Sequence, residues 1–183
     1  MTDLNLKIWC WGLNKTAVNY LAGYSADLVE QIQQLIVENR LGELLLKKYP
    51  ESHQVRTDRA LYEYVNGLKD QYLRKSGPLS KVAFDSKLHI TANALGTHTR
   101  KSQKHGSKHK NKREIHIASL FKTTPPEFLK MIVVHELAHS KESEHNKAFY
   151  QLCEHMEPNY HQLEFDLRVY LTYLDQAEKP LWQ

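Results

Sequence analysis

Met131-Ile-Val-Val-His-Glu-Leu-Ala-His-Ser140 is the stretch from which the rest of the chain can be interpreted. Within it, His135 and His139 are four positions apart, and Glu136 directly follows the first histidine. Residues four apart lie on the same face of an α-helix, so both imidazoles can reach one metal ion. Glu136 projects about 100° around the helix from His135, which leaves its carboxylate beside the metal rather than bound to it.

The spacing His-Glu-x-x-His is typical of zinc metallohydrolases, and the residues around it favour a helix. Thr124-Pro-Pro-Glu127 is a helix-start pattern, with Thr124 as the cap, proline in the first turn and glutamate at the third position. The apolar run Met131–Val134 predicts a helix that is buried on every side. Histidine and glutamate without partners are costly in such a place, so the pattern indicates a metal site.

A third histidine, His145, follows six residues after His139. In a continuous helix those residues would turn His145 by about 600°, so that it pointed away from the metal. We therefore expect the helix to end within the polar segment Ser140–Glu144. The spacing equals that of the metzincins, which have glycine at the turn where this chain has Glu142. A downstream carboxylate is the alternative third ligand: Glu154, Glu157 or Glu164.

These residues predict a complete hydrolytic site. His135, His139 and His145 would hold one zinc ion per chain, and three neutral imidazoles leave the ion an open position for water. Zinc lowers the pKa of such a water from about 16 towards 7. Glu136 is the predicted general base, which takes a proton from the metal-activated water and can return it to the leaving group. The motif therefore predicts a zinc-dependent hydrolase.

The composition is that of an ordinary globular protein. The chain has 183 residues, of which 41% are hydrophobic and 25% charged, with a formal net charge of +4, and this length fits one domain with a core. It has neither a stretch long and apolar enough for a membrane span nor a secretory signal pattern at its N-terminus. The two cysteines, Cys10 and Cys153, form no disulfide framework, so we expect a reduced, cytoplasmic protein without a membrane partner.

Apolar and turn-forming residues divide the chain into three parts. Residues 1–19 show no period and are expected to be poorly ordered or to form a docking segment. Residues 20–78 are expected to form a helical cover, with one helix from Ser25 to Pro50 and another from Thr57 to about Arg74. Residues 79–176 are the predicted metallohydrolase core, and 20–176 together form one compact domain.

The predicted fold class is α+β. Lys81–Phe84 and Leu88–Thr91 read as a hairpin, and Glu114–Ala118 alternates as a strand with one face buried. We expect a small, mainly antiparallel sheet packed on the metal-site helix, with helices before and after it. The final segment 179–183 is expected to be frayed.

Residues 98–113 form a strongly basic run. They contain seven of the 25 Lys and Arg residues, three histidines and no acid, so the remaining 18 basic and 21 acidic side chains leave the rest of the chain net negative. The lack of apolar residues predicts a mobile loop, which is either a solvated connector or a contact for phosphates or nucleic acid. The absence of aromatic residues argues against base stacking. The basic side chains are Arg100, Lys101, Lys104, Lys108, Lys110, Lys112 and Arg113.

Four further residues could frame a cleft beside the metal. His116 precedes the metal-site helix on a predicted strand, and His161 lies downstream of it. Tyr150 and Tyr160 could stabilise an oxyanion. Histidine and tyrosine at such positions are more often surface or hydrogen-bonded residues than catalytic ones, so none of the four belongs to the predicted site.

The run Ile132–Leu152, with His135-Glu-Leu-Ala-His139 and His145, resembles the YgjP-like metallopeptidase domain, which is related to the SprT-like and WLM zinc proteins. Arg113–Leu120 resembles the strand that precedes the motif in that family, and Met156–Tyr160 resembles the segment that follows it. The resemblance implies a zincin-like fold, in which the three histidines are metal ligands and Glu136 is the base.

Three functions compete. The resemblance favours a zinc-dependent peptidase of proteins or peptides. The same metal and base could instead hydrolyse a phosphoanhydride in a nucleoside triphosphate, with the basic run binding the phosphates of this small substrate. The third function is a nucleic-acid-binding module with structural zinc, which is the weakest because a structural site usually has four protein ligands and does not need Glu136.

Overall fold

The structure is a computed structural model that describes residues 19–88, 96–105, 108–177 and 179–183, with the backbone alone for 96–105 and 108–112. Nearly all of the predicted N-terminal segment lies outside the described residues. The chain is an α+β protein, as predicted. Its helices and strands are α1 (Ala26–Val37), α2 (Leu41–Lys48), α3 (Asp58–Tyr72), β1 (Lys81–Asp85), β2 (Gly96–His105), β3 (Lys108–Ala118), a 3-10 turn (Ser119–Thr123), α4 (Pro126–Ala138), α5 (Lys147–Met156) and α6 (Tyr160–Ala177).

The described strands form one three-stranded mixed sheet in the order β1-β3-β2. The central strand β3 pairs in parallel with β1, where Lys81 is opposite Glu114 and Asp85 is opposite Ala118. It pairs antiparallel with β2, from Gly96 opposite Ile117 to His105 opposite Lys108. The prediction of a mainly antiparallel sheet is therefore not supported, because one of the two pairings is parallel.

The expected hairpin between Lys81–Phe84 and Leu88–Thr91 is not the pairing that β1 makes. Its partner among the described residues is β3, and residues 89–91 lie outside the described part of the chain. Parallel strands need a longer crossover than a tight turn provides. The turn after Asp85 is short enough for a hairpin. The local sequence does not show whether β1 pairs with the next segment of the chain or with a more distant strand.

The expectation of a mobile basic loop was also wrong. Most of residues 98–113 belong to β2 and β3, whose backbone ladder continues from the core end of the sheet outwards to His105 and Lys108. The inner end of this ladder contains Ile115 and Ile117, which are fully buried as the alternation predicted. Once the register is set there, backbone hydrogen bonds extend the pairing without needing apolar side chains further out.

Helix α4 is the centre of the fold. Nine of its 13 residues are buried, and it contacts α3, α5, α6, β2 and β3. This surrounding explains why the apolar residues of α4 occupy all of its faces rather than one stripe. In the part of the chain that the structure describes, none of the helices combines the length and apolar character that a membrane span requires.

The first predicted helix is divided into α1 and α2. Asn39 has φ 55°, in the left-handed region, and the amides of Asn39 and Arg40 donate to the carbonyls of Ile36 and Leu35, each over 2.9 Å. This bond pattern ends a helix in a Schellman motif, where asparagine can replace glycine. The division is therefore at Asn39, inside the segment that was expected to form one helix from Ser25 to Pro50.

The predicted start of α3 is confirmed, because the Thr57 hydroxyl accepts a hydrogen bond from the Ala60 amide over 3.2 Å. The predicted fraying of the C-terminal segment was wrong. Trp182 is only 4% exposed, and its Nε1 donates to the Tyr49 carbonyl over 2.8 Å. A large aromatic side chain with a satisfied N–H gains enough from burial to hold a terminal segment in place.

Candidate metal centre

The C-terminal end of α4 carries both histidines of the motif. The helix begins with Pro126 at its first position, as predicted, but Thr124 does not cap it. The Thr124 hydroxyl donates instead to the Phe121 carbonyl over 3.2 Å. This carbonyl belongs to the 3-10 turn from which the chain enters α4. The start of α4 is thus held by the preceding turn and not by a capping side chain.

The helix ends where the third histidine requires. His139 is the C-cap residue of α4, and the amides of Lys141 and Glu142 both donate to the Ala138 carbonyl, over 2.9 and 3.0 Å. Asn146 then begins α5 by accepting a hydrogen bond from the Phe149 amide at its Oδ1, over 2.9 Å. The helix therefore ends before His145, as predicted, but just ahead of the expected segment Ser140–Glu144. The turn brings this histidine back towards α4.

The structure brings the three predicted ligands together. One nitrogen from each of His135, His139 and His145 lies within 4.8 Å of the other two. The Nε2 atoms of His139 and His145 are 3.1 Å apart. His135 and His139 are partly buried and His145 is exposed, so the cluster lies at the surface with one side open to solvent. The geometry fits a site that can hold a metal and still admit a substrate.

Phe149 lies against all three imidazoles. Its ring centroid is 5.0 Å from that of His135 and 4.7 Å from those of His139 and His145, and its side chain is fully buried. Phe149 was not among the residues that the sequence singled out, because an aromatic residue in an apolar stretch carries no sign of contact with a metal site.

The Nδ1 atoms of two of the predicted ligands, His139 and His135, already have hydrogen-bond partners. The Nδ1 of His139 is 3.0 Å from the Glu142 carbonyl oxygen, which only accepts, so this nitrogen carries the proton and Nε2 keeps its lone pair. The Nδ1 of His135 is 2.7 Å from the Tyr160 hydroxyl. Metal-binding histidines commonly use their second ring nitrogen in this way, so the contacts leave Nε2 of both rings for a metal.

The electrostatics of the site suit a cation. Burial, and then the neighbouring His139 and His145, lower the pKa of His135 to about 3. Neutral imidazole is the form that binds a metal, and His135 therefore needs no deprotonation at neutral pH before it binds one. Three close imidazoles repel one another when protonated and attract a metal when neutral.

Glu136 lies in the same buried environment. Its side chain is only 2% exposed, and burial raises its pKa to about 8. Its Oε2 has no hydrogen-bond partner among the described residues, which is costly for a buried carboxyl group. A divalent cation held by the three imidazoles would favour the ionised carboxylate. The unpaired oxygen and the donor set thus both fit a metal at this place.

The alternative third ligands are engaged elsewhere. Glu164 pairs with Arg168 over 2.8 Å, Glu157 pairs with Lys130 over 2.6 Å, and Glu154 lies 3.4 Å from His161. Among the residues whose side chains are described, the group with metal-binding geometry contains the three histidines and no carboxylate. The assignment of His145 as third ligand is therefore favoured by geometry and stays a prediction.

Of the other residues considered for the cleft, His116 contacts acidic residues of the sheet, whereas Tyr150 and Tyr160 lie near the three histidines. His116 lies near Glu114 and Asp85 on the sheet, at 3.4 and 3.9 Å. Tyr150 is closer to the centre, with its ring centroid 6.4 Å from that of His145. Tyr160 contacts His135 directly, which sequence analysis did not anticipate because the two residues are 25 positions apart.

Comparison with known proteins agrees with this geometry. A family model described as YgjP-like, metallopeptidase domain matches residues 19–170. The chain belongs to this family. The YgjP-like chain is also similar to the UTP pyrophosphatase of Escherichia coli (strain K12), with 53% identity over 164 residues, which cover 90% of this chain and 98% of the relative. No solved structure matches.

Membership of the YgjP-like family confirms the resemblance seen in the sequence. The family and the relative together support a metal-dependent hydrolase, and the three histidines could hold the metal. The family description names a peptidase domain, whereas the name of the E. coli relative refers to a nucleotide. The two names therefore point to different substrates, a peptide and a nucleotide.

Proposed function

We propose that this protein is a metal-dependent pyrophosphatase of nucleoside triphosphates. His135, His139 and His145 would hold one divalent cation, for which zinc is the best fit because all three ligands are imidazoles and the site keeps an open position. A helix-borne histidine pair beside a small mixed sheet also agrees with a zincin-like arrangement. The observation that carries the substrate class is the basic ribbon, defined as residues 96–105 of β2 and 108–113 of β3.

The basic ribbon places basic residues opposite one another along two paired strands. Strand β2 contacts α4, which carries His135. Directly opposed like charges destabilise a strand pair, so an anion bound to the ribbon would offset this repulsion. Lysine, arginine or histidine residues stand opposite one another at four register positions: Arg100 and Arg113, Lys101 and Lys112, Lys104 and His109, His105 and Lys108.

The residues of the site support a balanced hydrolysis. Glu136 accepts a proton from the attacking water while the water oxygen forms a bond to the α-phosphorus. The bond from that phosphorus to the bridging oxygen breaks, which releases pyrophosphate and leaves the nucleoside monophosphate. When bound, the divalent cation supplies the Lewis acidity that activates water and stabilises developing negative charge. Phe149 shields the three imidazoles from bulk water on their buried side.

A peptidase is the second candidate, favoured by the family description and by the His-Glu-x-x-His motif, in which Glu136 directly follows His135. The same base and cation could activate water towards a peptide carbonyl. A peptidase has no evident need for seven basic residues without an acid among them. For this reason we place the nucleotide substrate first.

A direct comparison of substrates tests the proposal. Zinc-loaded protein is incubated with the four ribonucleoside triphosphates and with a peptide library, and phosphate esters and peptide fragments are measured separately. We expect nucleoside monophosphate and pyrophosphate in equal amounts, with UTP among the best substrates. The Glu136→Gln variant is the control for contaminating enzymes. Peptide cleavage that disappears in this variant, with every nucleotide intact, would reject the pyrophosphatase in favour of the peptidase.

A further inference from the structure

Tyr160 is the first residue of α6, and its side chain is fully buried. Its hydroxyl oxygen lies 2.7 Å from the Nδ1 of His135, and the planes of the two rings are inclined by only 19°. A hydroxyl at this distance makes a strong hydrogen bond. The proposed function described above assigns Tyr160 no task, although it touches a proposed ligand.

The direction of this hydrogen bond depends on which nitrogen of His135 faces the other histidines. Tyr160 occupies the Nδ1 side, so Nε2 is the atom left for a cation shared with His139 and His145. A ligating Nε2 must be unprotonated, which puts the proton on Nδ1. The Tyr160 oxygen then accepts this proton's hydrogen bond and is free to donate its own hydrogen elsewhere.

A second buried partner lies next to the same hydroxyl. Cys153 of α5 is fully buried, and hydrogen bonding from Tyr160 lowers the pKa of its thiol against the larger effect of burial, which raises that pKa to about 12. The group therefore stays a thiol, whose sulfur is a weak acceptor. Donation from Tyr160 to Cys153 leaves the hydroxyl oxygen facing His135 as an acceptor.

The position of Tyr160 is itself held from both sides. Its amide donates to the Glu157 carbonyl over 2.9 Å, and the Glu157 carboxylate pairs with Lys130 of α4 over 2.6 Å. The backbone at Tyr160 is thus linked through Glu157 to the helix that carries His135. His139 obtains its equivalent contact from a backbone carbonyl, which also has a fixed position.

We propose that Tyr160 is a positioning residue for the metal centre: its hydroxyl keeps the proton of His135 on Nδ1 and holds the ring so that Nε2 faces His139 and His145. This inference rests on the proposed metal-dependent function. It assigns Tyr160 to preparing the first ligand and not to stabilising an oxyanion, which was the role considered from sequence. Loss of such a contact to a metal-binding histidine typically weakens metal affinity by about 10- to 100-fold.

The test is the zinc affinity of Tyr160→Phe, measured by competition with a chelator. We expect zinc to bind about 10 to 100 times more weakly than to the parent, while circular dichroism shows the same helical content. Tyr170→Phe is the matched control, because Tyr170 is an equally buried phenol that packs on Trp182 and Phe128 away from the three histidines. Its zinc affinity should equal that of the parent.

A second measurement needs no substitution and covers the case in which Tyr160→Phe does not fold. Nitrogen chemical shifts of the zinc-loaded parent should show His135 protonated at Nδ1 and bound to zinc through Nε2. Binding through Nδ1, or a Tyr160→Phe protein that binds zinc as tightly as the parent, would overturn the inference alone. A parent that binds no zinc would overturn the proposed function as well.

Discussion

His135 and Glu136 are neighbours in the chain, and burial moves their pKa values in opposite directions. The pKa of the imidazole falls to about 3 and that of the carboxyl group rises to about 8, because burial disfavours the charged form of each. Both side chains are therefore driven towards neutrality. A divalent cation bound by the three histidines would favour the ionised form of Glu136 and the neutral form of His135, so it would reverse the effect of burial for Glu136 alone.

Removing the third histidine tests the ligand set. His145→Ala should lose zinc or bind it much more weakly, because two imidazoles from one helix leave too few protein ligands for a stable site. Metal analysis after dialysis against zinc measures both stoichiometry and affinity. His155→Ala, which removes a histidine outside the cluster, is the control. Unchanged binding in His145→Ala would mean that another residue, such as Glu164, is the third ligand.

Glu136→Gln should abolish most turnover and leave the metal in place. The amide keeps the size of the side chain but cannot accept a proton from water at neutral pH. Loss of a general base typically lowers the rate about 10²- to 10⁴-fold. Initial rates on the substrate found for the parent, with metal content measured in the same samples, check this. Near-native turnover at full metal content would show that Glu136 is not the base.

His53 provides a pH test of stability away from the metal centre. It is buried, its Nε2 lies 2.7 Å from the Phe121 carbonyl, and its Nδ1 accepts from the Val55 amide over 3.0 Å. Both nitrogens are thus used in the neutral form, and burial lowers the pKa of His53 below its usual 6.5. Below pH 6.5 the unfolded chain binds a proton that the folded protein does not, so stability falls as pH decreases.

We expect His53→Gln to reduce this dependence. The free energy of unfolding of the parent should be nearly independent of this group above pH 6.5 and should decrease below it, whereas the variant should show a smaller decrease between about pH 6.5 and 5. Urea denaturation at several pH values measures both curves. Parallel curves for parent and variant would contradict the assignment.

The basic ribbon is the element whose charge tests the proposed substrate class. Replacing Lys104, Lys108, Lys110 and Lys112 with Gln should raise KM for a nucleoside triphosphate, because several charges must act together when salt screens each of them over about 8 Å. The difference in KM between the variant and the parent should become smaller as salt is added. Peptide cleavage, if the protein has any, should not change. Steady-state kinetics at low and high salt check the prediction.

The matched control removes the same charge elsewhere. Lys47, Lys75, Lys87 and Lys179 are exposed residues outside the ribbon, and their replacement by Gln should leave KM nearly unchanged. If the ribbon variant behaves like this control in every assay, the ribbon does not bind substrate phosphates. A nucleic acid partner would be revealed instead by a flatter salt dependence of oligonucleotide binding in the ribbon variant.

The C-terminal segment packs against α4 through Trp182. The ring of Trp182 lies 5.9 Å from Phe128 of α4 and 4.8 Å from Tyr170 of α6, measured between centroids. Its indole N–H binds the backbone of Tyr49, 133 residues earlier. Trp182 thus joins three helical segments of the fold.

Trp182→Ala should lower the free energy of unfolding by about 3–5 kcal/mol, the usual range for removing a large buried aromatic side chain. Urea denaturation should show a lower midpoint with an unchanged slope. Gln183→Ala is the control, since this residue is exposed and its backbone carbonyl, which binds Arg56 over 2.9 Å, is retained. A loss below about 1 kcal/mol for Trp182→Ala would match an ordinary surface change and contradict the packing.

Local patterns in the amino-acid sequence were sufficient for the metal-site helix, its end before His145, the cap of α3 at Thr57 and the α+β class. Each of these depends on the spacing of nearby residues or on hydrogen bonds within a few positions, which a sequence displays directly. The break at Asn39 is also local, and asparagine after a helical run was the signal for it.

Contacts between distant residues could not be read in this way. The parallel pairing of β1 with β3, the burial of Trp182 and the approach of Tyr160 to His135 join segments whose separation along the chain carries no local period. Their stability comes from the packing of several elements around α4, and the same short patterns are compatible with other partners. The histidine motif therefore defines the metal-binding chemistry in the sequence, while the residues that support each imidazole are determined by how the helices pack.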